Sequence, residues 1–250
     1  RSFSMGCQIL QKNCRSFRVV KVTRLLDFLL ALLAILILLP FMAPILVLLR
    51  VTGDGEVFYY QKRKGKHGKD FLLIKLSTMN KDSVHSGMGS ITVRDDPRIK
   101  FMGHTLRRWK LNELPQVVNI LLGDLSVVGP RPLIEGTTGY NAYSDDVKSK
   151  IFSNRPGLTG IGSIVFRDEE AILSSADNPH DFYVRELAPY KADLELWYFE
   201  NKSLKVDVGI IICTAISIML PKSRIHENIF SRIPKVPEKL KEYMAKDSRL

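Results

Sequence analysis

A chain of 250 residues can bury one good core and a small appendage, which excludes a large multidomain assembly. Its 37 Lys and Arg against 26 Asp and Glu leave a net charge of +11, a balance that suits nucleic acid or an anionic membrane surface equally well. The three cysteines, Cys7, Cys14 and Cys213, are odd in number and lack metal-ligand spacing, so they exclude a disulfide framework and read as reduced cytosolic thiols.

Residues 1–24 form a basic arm that carries Arg1, Lys12, Arg15, Arg18, Lys21 and Arg24, with no acid before Asp27, and should lie against anionic headgroups. An uncharged run follows from Phe28 to Leu49, FLLALLAILILLPFMAPILVLL, about long enough to cross a bilayer as a helix. It is too long for a signal-peptide core and no small-residue cleavage site follows, so the segment 25–50 is expected to be retained. Pro40 and Pro44 each remove a backbone hydrogen bond from its second half. Arg50, Lys62, Arg63, Lys64, Lys66 and Lys69 lie beyond it, so both flanks are basic and both belong on the cytoplasmic face. A helix that enters, breaks near Pro40 and returns satisfies both observations; a kinked full span is the alternative. The apolar run decides between membrane and nucleic acid. No nucleic-acid partner is expected, because the basic residues do not alternate with aromatics in a stacking pattern.

From residue 51 to 220 the character is that of a soluble domain. An aromatic strand at Val57–Tyr60 and a second at Phe71–Lys75 flank the basic turn KGKHGKD, which predicts a hairpin at the membrane surface. Ser83–Gly89 reads as a mobile loop and Asp95–Ile99 as a salt-bridged turn leading into a helix that carries His104, given no role, and Arg107. The densest stretch is Arg107–Pro132, RRWKLNELPQVVNILLGDLSVVGPRP. Leu111, Leu114, Val118 and Leu121 recur at helical spacing, predicting a helix over Leu111–Leu122 with Asn112 as N-cap, Pro115 in the first turn and Gly123 as the stop. Arg107, Arg108, Lys110, Glu113, Asp124 and Arg131 then gather near helix ends and turns, an arrangement that holds phosphate groups, while a neighbouring carboxylate can hold a hard metal ion.

The linker TTGYNAYSDD leads to Arg155-Pro156-Gly157 and Gly160, a rigid turn whose glycines let backbone approach a ligand closely. Asp168, Glu169 and Glu170 read as an acidic helix start. Trp197, Tyr198 and Phe199 suit an interfacial belt or an ordinary core, and Val208–Leu220 is too short to span and should be an interfacial or core-covering helix. The basic tail 221–250 ends in a helix predicted at Pro237–Ala245. The expected fold class is α+β, mostly helical with a small β-hairpin, behind a membrane-embedded, re-entrant N-terminal helix.

The words FYYQKRKGKHGKDFLLIK, DDPRI, LNELPQ, GDLSVVGPRP, RPGLTG and FENKSLKVDV, in that order and spacing, resemble the bacterial sugar transferases, the monotopic enzymes that load a sugar phosphate onto polyprenyl phosphate. The resemblance implies a catalytic domain over 51–220, a bacterial inner (cytoplasmic) membrane location with the active site on the cytoplasmic face, a UDP-sugar and polyprenyl phosphate as partners beside the lipid bilayer, and Mg²⁺ as cofactor; it leaves room for a homodimer. By position, Lys75, Arg107, Arg131 and Arg167 match residues that contact phosphates or nucleotide, Glu113 and Asp124 match the metal-binding acids, and Pro40 matches the bend of a re-entrant anchor. The chain departs from the family pattern at Leu39 for Ser, Ser77 for a basic residue and Ile161 for Trp. It also departs at the centre: the family word is Asp-Glu-Leu-Pro-Gln, whose Asp attacks the donor phosphate, and Asn112 stands there. An amide has no anionic oxygen to offer. Glu113 as nucleophile or general base, Asn112 as an altered aspartate, and a non-catalytic relative with Asn112 kept as an N-cap all remain open.

Overall fold

The computed structural model describes residues 2–52, 55–80, 96–220, 223–230 and 232–247, with side chains from 22 to 244 in those ranges. The expected loop Ser83–Gly89 and the first residue of the Asp95–Ile99 turn lie outside them. Helix α1 (Ser2–Thr52) passes through both Pro40 and Pro44, with every residue helical, so there is no non-helical interruption at Pro40. Its stretch Val22–Val51 is long and apolar enough to cross a membrane. The helix is not a free stalk. Arg24 donates to the carbonyls of Ile120 (2.6 Å) and Leu121 (3.0 Å), and buried Asp27 accepts from the Ser126 hydroxyl (2.6 Å) and the Val127 N–H (3.0 Å). Ala31 then packs with Leu73, Val117, Ile120 and Leu125, and Leu49 packs with Leu76 and Leu106.

Strands β1 (Phe58–Lys64) and β2 (Asp70–Leu76) form the expected antiparallel hairpin, Phe58 facing Leu76 and Lys64 facing Asp70. The turn lysines are not all free for headgroups, because Lys62 and Lys64 pair with Asp70 at 2.9 and 3.0 Å. Arg98 pairs with Asp96 at 2.6 Å in the turn before α2 (Phe101–Arg108), as the sequence predicts.

The predicted helix over Leu111–Leu122 divides in two. A 3₁₀ turn, Leu111–Glu113, precedes α3 (Gln116–Leu122), whose N-cap is Pro115; Gly123, at φ 96°, ends it in the left-handed conformation only a glycine takes without strain. Asn112 is therefore not an N-cap. A cap there would need the N–H of residue 114 or 115, and Pro115 has none. Asn119, fully buried, donates to Leu72 O (2.8 Å) and accepts from Ile74 N–H (3.0 Å), stitching β2 to α3.

Strands β3 (Ser126–Val128) and β4 (Gly157–Thr159) pair in parallel, joining GPRP to RPG. Here the glycines serve a close approach between two chain segments and not a ligand: a Cβ on Gly157 would lie 2.1 Å from the Gly129 nitrogen. Between the two strands lie α4 (Thr138–Asn141) and α5 (Asp145–Ser153). After them come α6 (Ile161–Val165), α7 (Glu169–Ser174), α8 (Pro179–Phe182), a π turn (Tyr183–Leu187), α9 (Ala188–Asn201), α10 (Leu204–Met219), α11 (Ile225–Ile229) and α12 (Glu238–Asp247). Among the described residues the architecture is thus mostly helical with two small sheets, each of two strands. Tyr198 is core, donating to Asp207 (2.8 Å), whereas Phe199 is exposed. The segment after Pro221 contributes Phe230 and Leu240 to the main core, so it is structural and not a loose tail.

Candidate active site

The hairpin, the 3₁₀ turn, the GPRP corner, α6, α7 and α9 enclose one cavity of about 1160 Å³. On its wall is the Glu113 carboxylate, 3.0 Å from Arg131 Nη2 and 3.9 Å from Lys75 Nζ. Each partner arrives by a different local device. Asn119 holds β2, and hence Lys75, over α3; the β3–β4 pairing and its glycine contact fix the corner that carries Arg131. Burial pushes the Glu113 carboxyl up, but Arg131, Lys75 and Lys110 outweigh it and hold the group well below the usual carboxylate range. Burial pulls Lys75 down to about 7 against the attraction of Glu113, and burial with the nearby Arg131 pulls Arg63 down to about 9. Glu113 is thus permanently anionic at neutral pH, among cations that are costly to keep charged.

The other arginines predicted from sequence line the same cavity. Arg107 pairs with Glu170; Arg167 donates to Asp168 (2.9 Å) and to the Arg108 carbonyl (3.3 Å). Asp168, Glu169 and Glu170 do begin a helix, α7, but Glu169 and Glu170 also serve the cavity, Glu169 pairing with Lys191 at 2.7 Å. Four buried polar atoms on the cavity wall have no hydrogen-bond partner among the described residues: Asn112 Oδ1, Arg107 Nε, Arg167 Nε and Glu195 Oε2. Each such group costs about 1–3 kcal/mol.

Asp124 does not join this group. It lies at the far end of α3, about 16 Å along an ideal helix from Glu113, where Asn119 donates to it at 3.3 Å and where it interacts with Arg155. One ion cannot bind both, and the expected Glu113–Asp124 metal pair is corrected on that ground. Among the described residues no group of three or more His, Cys, Asp or Glu is placed to hold a metal ion, and Glu113 is the predicted metal-binding acid that lines the cavity.

Sequence reasoning missed Lys191 and Glu195. Both sit on α9, and Glu195 lies on the buried face shared with Tyr190, Leu194 and Tyr198, where a carboxylate on an apolar stripe was the available signal. Burial raises the Glu195 carboxyl to about 7, with Lys191 and Arg131 opposing. The folded state therefore favours its protonated form, a contribution to stability present below the ordinary carboxylate range and lost as pH rises through about 7. Glu195→Gln should leave the melting temperature nearly unchanged at pH 5 and raise stability by on the order of 2–3 kcal/mol at pH 8, measured by thermal unfolding at both pH values.

Residues 18–221 match the model of the bacterial sugar transferase family. The chain is 30% identical over 213 residues to the exopolysaccharide production protein ExoY of Rhizobium meliloti, covering 80% of this chain and 86% of that protein. It is 32% identical over 197 residues to the exopolysaccharide production protein PSS of Rhizobium leguminosarum bv. phaseoli, covering 78% and 93%. It is 31% identical over 199 residues to the UDP-glucose:undecaprenyl-phosphate glucose-1-phosphate transferase of Xanthomonas campestris, covering 79% of this chain but 38% of that longer protein. With the match spanning the anchor, the cationic cavity and the helices behind it, the chain belongs to the bacterial sugar transferase family.

Proposed function

We propose that the chain is a phosphoglycosyl transferase that moves a sugar 1-phosphate from a UDP-sugar to polyprenyl phosphate and releases UMP, at the cytoplasmic face of the bacterial inner membrane. The observation that carries this reading is the cavity wall itself: Lys75, Arg107, Arg131 and Arg167 line one cavity, where Lys75 and Arg131 share the Glu113 carboxylate. Such a wall suits a diphosphate flanked by a sugar and a base. An oxygen of the lipid phosphate, already anionic, attacks the phosphorus that bears the sugar; the bond from that phosphorus to the UMP oxygen breaks, and UMP departs with the electron pair. No general base is needed, and Glu113, held far below neutral pH, is too weak a base to serve as one. Its work is to fix Arg131 and Lys75 in place against the transferred group. Glu113 is the cavity carboxylate that would hold Mg²⁺, which would supply charge neutralisation at the phosphates.

The anchor supports a monotopic arrangement. Arg24 and Leu49, about 38 Å apart along an ideal helix, both pack on the same catalytic domain, whereas a full span would carry them to opposite faces of a bilayer core about 30 Å thick. Leu36, Ile37, Leu39 and Phe41, between these ends, are more than half exposed and suit lipid contact. One observation favours a second reading, a non-catalytic relative that binds nucleotide sugar: Asn112 offers no anionic oxygen. Purified protein in detergent with Mg²⁺, undecaprenyl phosphate and a panel of UDP-sugars decides between them. Release of UMP that depends on the lipid is expected; binding of a UDP-sugar with no UMP release under any combination would establish the second reading.

A further inference from the structure

Most cations around the cavity are engaged by an acid. Arg131 and Lys75 face Glu113, Arg107 faces Glu170, Arg167 faces Asp168 and Lys191 faces Glu169. Lys110 also lines the cavity, yet among the described residues it has neither an ion pair nor a side-chain hydrogen bond. Its backbone is equally unusual. At φ 57°, ψ 18° it occupies the left-handed region, one of two non-glycine residues with positive φ among those described. A lysine gains nothing there from its own side chain, since it cannot bond back to the local backbone as Asn or Asp can, and a glycine would relieve the conformation. Strain of this kind persists where the surrounding structure holds it for a purpose. The strained residue heads the 3₁₀ turn that presents Asn112 and Glu113, its carbonyl accepting from the Glu113 N–H at 3.2 Å.

We infer that Lys110 is a substrate-contact residue whose ammonium binds a phosphate oxygen in the cavity, an assignment that rests on the transferase reading above. The ligand chemistry is an anionic phosphate. Two sources carry it, the donor's diphosphate and the lipid acceptor's monophosphate. The Lys110 ammonium feels Glu113 and Glu170 but pairs with neither, and Glu113 is already paired with Arg131 and Lys75, so Lys110 is left to pair with an incoming phosphate of either kind.

The test is equilibrium binding to the full-length protein in nanodiscs, with UDP and undecaprenyl phosphate as separate probes, for wild type, Lys110→Met, Lys110→Arg and Lys110→Gly. Lys110→Met and Lys110→Gly should each weaken one probe by about tenfold or more, with Lys110→Arg retaining most of the affinity. Loss confined to UDP assigns the contact to the donor, and loss confined to undecaprenyl phosphate assigns it to the acceptor. Without ligand, the melting temperature should hold in Lys110→Met and rise in Lys110→Gly, because a purely local strain is released. Unchanged affinity for both probes in Lys110→Met overturns the inference and leaves the transferase reading intact. So does a fall in ligand-free melting temperature that Lys110→Arg fails to rescue, since the role is then structural. If wild type binds neither probe, the transferase reading fails first and the inference with it.

Discussion

Glu113→Gln should reduce lipid-dependent UMP release by at least about 10²–10³-fold, the scale seen when one preorganised electrostatic group is removed from an active site. The carboxylate lies 3.0 Å from Arg131 and 3.9 Å from Lys75, and its negative charge is what keeps Lys75 charged near neutral pH despite burial. A neutral amide of the same shape leaves Arg131 free to swing and lets Lys75 lose its proton. Two cations are then misplaced or lost at the moment charge moves onto the leaving nucleotide. Affinity should move the other way or stay level, because the site sheds its own central anion; UDP binding to the variant, measured beside turnover, separates lost chemistry from lost binding. A variant that keeps more than a tenth of wild-type turnover would remove Glu113 from the centre of the reaction.

Asn112→Asp should change the order of events. In direct transfer nothing leaves until the lipid phosphate is in place, so the wild-type chain should release no UMP without acceptor. An aspartate at this buried position, next to Glu113 on the same turn, would bring an anionic oxygen to the cavity wall where Asn112 Oδ1 now has no partner. Its oxygen can attack the sugar-bearing phosphorus, displacing UMP and leaving the sugar phosphate on the protein. The expected result is a burst approaching one UMP per chain with UDP-sugar alone, together with a mass increase equal to the sugar phosphate. Absence of both in a folded variant would mean that position 112 does not face the donor phosphorus, and the direct-attack geometry would have to be rebuilt from Glu113. Burial is tolerable here, since Lys75, Arg107, Lys110 and Arg131 line the same cavity.

Features that depend on neighbouring residues were legible in the sequence. The hairpin, the Asp96–Arg98 turn, helix α2 and the Gly123 stop follow from alternation, short-range pairing and a glycine where φ must be positive. The cationic set was legible as well, because motif order brought Lys75, Arg107, Arg131 and Arg167 to one cavity with Glu113. Direction along a helix was not legible. Asp124 follows closely in sequence, but α3 carries it away from the site, and only the fold distinguishes a motif's near end from its far end. Asn112 was misread for a smaller reason, the missing N–H of Pro115 three residues on. Asn119 and Glu195 share a signature that periodicity alone passes over: a polar side chain on a buried helical face, one stitching a strand and the other lining the cavity.

The way α1 is seated has a consequence for how such a protein can be altered or inherited. Arg24 closes the end of α3, Asp27 completes the edge of β3, and Ala31 and Leu49 complete two separate parts of the interior. The membrane segment is therefore not an interchangeable tether. Cutting it away would uncover Leu73, Ile120 and Leu125 at one place and Leu76 and Leu106 at another, and replacing it with any other hydrophobic helix would lose the polar contacts that set its rotation and depth. Lineages that shuffle domains can add segments beside this one, but they must carry residues from Arg24 to Leu49 along with the catalytic domain as a single heritable piece.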